Sequence, residues 1–177
     1  MKKILLLGML LFAATSYGQS IVYKSDYERA TERMGVIYST TNQVVGEWTI
    51  KSPFKVNINL KCILNTFECA ETNERVQGFS LEIGQGLTTP TVYLNCTEVD
   101  DMINAVNLIQ KDARLRYIAR TANLRLKGSF DKGFENMIAI DMPADGSSPG
   151  DFKFYTRCFI SPEELIKLFE GVKAIAD

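Results

Sequence analysis

Phe152-Lys153-Phe154-Tyr155-Thr156-Arg157-Cys158-Phe159-Ile160 alternates its side chains and runs directly into Ser161-Pro162-Glu163-Glu164. Beyond it, Leu165, Leu168, Phe169, Val172 and Ile175 fall on one stripe as far as Ala176. A period of two giving way to a helical period reads as a strand feeding an amphipathic helix. Ser161 and Glu164 have the spacing of a capping box, and Pro162 occupies the first helical position, where its missing N–H would be unsatisfied anyway. An earlier stretch has the same form. Thr91-Val92-Tyr93-Leu94-Asn95-Cys96 leads into a helix expected from Thr97 to about Lys111, with Val99, Met102, Ile103, Val106 and Ile109 on its stripe.

Strand-like runs precede each of these joins. They lie at 35–39, at 44–50 with the sole tryptophan Trp48, and at 55–64, where Val56, Ile58, Leu60, Cys62 and Leu64 alternate with Lys55, Asn57, Asn59 and Lys61. That alternation is a strand with one wet face. A short run at 67–70 ends in the turn Glu71-Thr72-Asn73-Glu74, and 75–83 alternates again. In the second half, 115–121, 123–130 and 134–142 read as strands and 143–150 as a loop. Groups of strands, each closed by a one-sided helix, predict an α+β fold: a twisted antiparallel sheet with two amphipathic helices packed on one face. The halves, 35–111 and 112–177, form a pseudo-duplicated strand-rich and helix unit within a single domain, preceded by a charged arm over 19–34. This order resembles TATA-binding-protein-like and helix-grip architectures, a likeness of fold that carries no function.

Met1-Lys2-Lys3, the apolar run from Ile4 to Ala14 and the small residues of Thr15-Ser16-Tyr17-Gly18-Gln19 read as a cleavable signal peptide over 1–18. The expected location is periplasmic or secreted. The run is too short to span a bilayer, and no later run is long enough, so no membrane span is expected after cleavage. A composition of 46% apolar and 23% charged residues is that of an ordered globular domain. The net charge of −1, more acidic without Lys2 and Lys3, argues against nucleic acid as a partner.

Histidine is absent, which removes the usual general base, Ser-His and Cys-His nucleophile pairs, and imidazole metal sites. No catalytic residue, metal site or cofactor is therefore assigned. Four cysteines, Cys62, Cys69, Cys96 and Cys158, allow three pairings in an oxidising compartment. Cys62 with Cys69 would clip a hairpin, and Cys96 with Cys158 would tie the halves. Cys62, Cys96 and Cys158 also fall on the apolar sides of their strands, where a free thiol packs as a small hydrophobe.

Lys111, Arg114, Arg116, Arg120, Arg125, Lys127 and Lys132 concentrate positive charge in a segment holding only Asp112 and Asp131 as acids. Arg116 and Arg120 share a strand face, as do Arg125 and Lys127. Such a stripe suits a phospholipid headgroup, an acidic glycan or an acidic protein, and the solvated outer face of a sheet accounts for the same residues. Trp48, Tyr93, Tyr155 and Phe159, with Phe152, are the aromatic candidates for a contact surface or for core packing.

The leader ending Ser16-Tyr17-Gly18-Gln19 and the helix entry Thr97-Glu98-Val99-Asp100-Asp101-Met102-Ile103 resemble small secreted proteins of unknown function from Bacteroidota-type Gram-negative bacteria. The resemblance implies a periplasmic or surface-facing protein and supplies no catalytic residue. The expected function is a non-enzymatic binding module, taking a protein partner through its sheet or an apolar small ligand between helices and sheet. The alternative is a cell-envelope hydrolase or isomerase working with carboxylates and tyrosine in a concave pocket. A pocket carboxylate with a raised pKa would mark the enzyme; a sheet face with exposed aromatics would mark the binding module.

Overall fold

A computed structural model of the chain describes residues 24–51, 57–84, 89–120, 124–143 and 155–176. The leader, the first residues of the arm, Phe152 and most of the 143–150 loop lie outside the described residues.

The strands are β1 (Tyr38–Lys51), β2 (Asn57–Cys69), β3 (Arg75–Gly84), β4 (Thr91–Asn95), β5 (Arg116–Ile118), β6 (Arg125–Gly128), β7 (Ile138–Pro143) and β8 (Tyr155–Ile160). The helices are α1 (Asp26–Thr31), α2 (Val99–Lys111) and α3 (Pro162–Ile175). The fold is α+β, as the sequence predicts. All strand pairs are antiparallel, in the order β4-β3-β2-β1-β8-β7-β6-β5. Two four-stranded meanders thus stand side by side, joined among the described residues at the single pair Lys51 and Phe159.

Each half ends in a helix that serves the other half. α2 carries the chain from β4 to β5, the two ends of the strand order, and lies against β5 and β6. α3 follows β8 and lies against β1 and β2. The two helices run antiparallel, since Lys173 near the end of α3 donates to Asp100 in the first turn of α2 at 2.7 Å. Both charges also suit the dipole of their own helix. Beneath them Leu60, Cys62, Phe79 and Leu81 of the first sheet join Leu126, Ile140 and Cys158 of the second in one buried cluster with Met102, Val106, Leu168 and Phe169.

Several boundaries differ from the sequence reading for identifiable reasons. The runs at 35–39 and 44–50 belong mainly to one long strand, β1, bulged between Val44 and Gly46. The bulge is where the Trp48 ring folds back over Gly46, so close that a Cβ there would sit 2.1 Å from the ring. Likewise, 57–64 and 67–69 fall on one strand, β2. Leu60, Cys62 and Leu64 face the α2–α3 layer, whereas Phe67 and Cys69 are buried on the opposite face. A strand buried first on one side and then on the other breaks its own period of two and reads as two strands.

The cover on that opposite face is α1. Ser25 and Glu28 close a capping box, with the Glu28 N–H donating to Ser25 Oγ at 3.3 Å and the Ser25 N–H donating to Glu28 Oε2 at 2.8 Å. Tyr27 and Ala30 then pack on Phe67, Cys69, Val76 and Tyr93. At the start of α2 the chain makes a 3-10 turn, Cys96–Glu98, with Asn95 at its cap, so the helix expected from Thr97 begins at Val99 instead. At α3 the expectation holds: the Glu164 N–H donates to Ser161 Oγ at 3.2 Å.

Candidate functional site

α1 shields the outer face of β2, β3 and β4. Among the described residues, no helix lies over the outer face of β5 to β8. Register decides what that face displays. Arg125, Asp141 and Arg157 stand in one row across β6, β7 and β8, and Arg116, Lys127, Ala139 and Phe159 stand in the next. The residues between them, Leu126, Ile140 and Cys158, point into the core under α2 and α3, so both rows face outward.

Asp141 anchors the face. Its side chain is 0% exposed, and a buried carboxylate requires close cationic partners. Arg125 donates Nε and Nη2 to Oδ2 at 2.9 and 2.6 Å. From the other side, Arg157 donates Nε to Oδ1 at 2.6 Å and Nη2 to Oδ2 at 3.1 Å. Lys127 holds its ammonium 3.9 Å from Oδ2, a longer contact. The hydrogen bonds to Asp141 raise the Arg157 pKa. Lys127 goes the other way: its partial burial lowers its pKa, helped by the neighbouring guanidiniums and opposed by Asp141 and Asp131.

Tyr155 roofs the row. Its ring centroid is 4.6 Å from the Arg157 guanidinium carbon and 5.7 Å from that of Arg125, while the residue remains 38% exposed. Beside it Phe134 stacks on Phe159 at 4.2 Å, burying Phe159 under the face. Phe130, in the turn after β6, is largely exposed.

Of the residues nominated from sequence, Arg116, Arg125, Lys127 and Tyr155 come together here, and Phe159 lies below them as packing. The others stand elsewhere. Trp48 is half-buried on the helix-facing side against the core. Tyr93 stacks on Tyr27 beneath α1, with ring centroids 5.7 Å apart. Arg120 lies past the end of β5 rather than on it; it pairs with Asp101 of α2 at 2.8 Å, and its N–H donates to buried Glu98 at 2.7 Å. Sequence reasoning missed Asp141 and Arg157. The available signal was an acid inside the apolar run Ile138-Ala139-Ile140-Asp141-Met142, a position where a carboxylate must be paired.

All four cysteines are free. Cys62 and Cys69 lie seven residues apart on β2, roughly 23 Å at about 3.3 Å per residue, and on opposite faces, so they cannot form the clip considered above. Burial pushes the Cys62 and Cys158 thiols up, and Cys96 up to about 11. Cys69 is lowered instead, by the Thr72 hydroxyl and the backbone N–H groups of Thr72 and Glu71. Among the described residues no cluster of acids and cysteines is placed to hold a metal ion, and no helix is long and apolar enough to cross a membrane. Comparison with protein-family models, with curated proteins and with solved structures finds no match to this chain.

Proposed function

We propose that this chain is a non-enzymatic binding module of the cell envelope, exported by its leader, and that its ligand surface is the outer face of β5 to β8, suited to an acidic protein partner. The observation that carries the reading is the Arg125-Asp141-Arg157 row under exposed Tyr155. Two guanidiniums are already fixed by a buried carboxylate, so little side-chain freedom remains to be lost when a partner arrives. An aromatic ring beside fixed cations is the composition of an interface centre. The hydrolase or isomerase alternative asks for a pocket carboxylate with a raised pKa. Glu74 and Asp112, whose carboxyls Arg33 and Arg114 hold below the usual range, do not supply it.

Amine-directed cross-linking of the purified protein in an extract of its own envelope fraction tests this. Partner cross-links are expected at Lys127, with Lys167 and Lys173 on α3 remaining unlinked. Capture should weaken with salt and fall several-fold in Arg116→Glu, which reverses an exposed charge without touching the Asp141 row. Cross-links confined to α3, or capture indifferent to both salt and Arg116→Glu, would remove the proposal.

A further inference from the structure

We infer that the cleft between the β5–β6 pair and the turn after β6 is a subsite for a phosphate group, an inference that rests on reading this face as the ligand surface. The cleft encloses about 250 Å³ and is lined by Arg114, Arg116, Lys127 and Arg157 together with Ser129 and Asp131 of the turn. Arg125 stands in the adjoining row, and Asp112, Asp131 and Asp141 are the carboxylates that pair with these cations. Among the described residues the cations that line the cleft outnumber the carboxylates paired with them, and a phosphate monoester brings the opposite charge.

Lys127 is the residue left under-compensated. Arg125 and Arg157 approach Asp141 to 2.6 Å, whereas the Lys127 ammonium stays at 3.9 Å, beyond hydrogen-bond length. Partly buried and crowded by two guanidiniums, it draws on Asp141 and Asp131 only through looser contacts than the direct pairs of its neighbours, and an anion in the cleft adds a closer counter-charge.

Donor geometry favours phosphate over carboxylate. A planar carboxylate is recognised by the two-pronged edge of a guanidinium. Arg157 has already committed that edge, Nε and Nη2, to the two oxygens of Asp141. Its Nη1 is 3.6 Å from Asp131, again beyond hydrogen-bond length. Arg116 of β5, Lys127 of β6 and Arg157 of β8 line the cleft together with Ser129 of the turn, so its donors come from three strands and a turn. Separate donors arriving from several directions suit a tetrahedral group with three accepting oxygens.

The test is a titration of the isotope-labelled protein with inorganic phosphate at constant ionic strength, read by NMR. Saturable shifts are expected at the amides of Lys127, Gly128, Ser129 and Asp131, with the Lys127 ammonium titrating at higher pH when phosphate is bound. Lys127→Gln should weaken binding about tenfold or more, as for loss of a charged hydrogen bond, and Lys173→Gln on α3 should leave it unchanged. Arg116→Gln is the second variant, at an exposed residue outside the Asp141 row. Shifts that do not saturate, equal shifts with acetate, or unchanged affinity in both variants overturn the inference. Loss of phosphate binding alongside persistent Arg116-dependent partner capture rejects the subsite and spares the ligand face; loss of both rejects the face itself. Where phosphate binds, glycerol phosphate and phosphatidic-acid vesicles separate a soluble ester from a lipid headgroup, and binding of either supports the assignment.

Discussion

Asp141 is the residue on which the candidate face depends. Its carboxylate is wholly buried while the side chains of Arg125 and Arg157 keep only 17% and 14% of their surface, so its removal strands two partly buried guanidiniums. Asp141→Ala should destabilise the fold by about 3–5 kcal/mol, the usual penalty for breaking a buried pair from one side. Denaturant unfolding, with the midpoint compared at unchanged slope, measures it. A loss under about 1 kcal/mol, the range of exposed pairs, would show that water reaches the row and that its arginines are not held in place. Lys127 differs because its longer contact contributes little to holding Asp141. Its value lies in charge left over for a ligand, which is why the binding test uses Lys127 and the stability test uses Asp141.

At the scale of elements, β6 meets the connection between α2 and β5 without a side chain in between. A Cβ on Gly128 would fall 2.6 Å from both Cα and O of Ala113, too close for backbone atoms that cannot swing aside. Gly128→Ala should therefore cost about 1–3 kcal/mol through overpacking. A change within about 0.5 kcal/mol in thermal or denaturant unfolding would mean that the connection yields freely. Which elements were legible follows from how local their signals are. α2 and α3 could be read because their stripes and acidic first turns lie within a few residues, and α3 also because its cap does. β1 and β2 could not, because the bulge under Trp48 and the switch of buried face at Phe67 depend on neighbours distant in sequence. The site divides the same way. Arg116, Arg125, Lys127 and Tyr155 stand out as charged or aromatic positions on alternating strands, whereas Asp141 acquires its meaning from partners sixteen residues away on either side, which only register brings into line.

For the whole molecule the question is whether two meanders joined by one strand pair unfold as one body. The strand pairing alone suggests independence, but the helices argue otherwise. α2 grows out of the first sheet and covers β5 and β6, α3 grows out of the second and covers β1 and β2, and the two helices pack against each other. Neither sheet keeps its apolar cover if the other opens, so a single cooperative transition is expected. The thiols report on it directly. Cys62 lies in the first sheet and Cys158 in the second, both fully buried with their pKa raised, so both should resist alkylation until global unfolding and then react at the same denaturant midpoint. Cys69 is buried beneath α1, so its labelling reports the loosening of that cover and not of the core shared by the two sheets. The same two shifts set a pH dependence. From about pH 8.5 upward the unfolded chain releases thiol protons that the folded chain retains, so stability falls as pH rises, by about 1.4 kcal/mol per pH unit for each buried thiol. Below that range the contribution is fully present. Cys62→Ala and Cys158→Ala should each remove one share of the slope. If Cys158 instead becomes labelled well before Cys62, the second sheet opens alone, and the exchange of helices between the halves does not couple them.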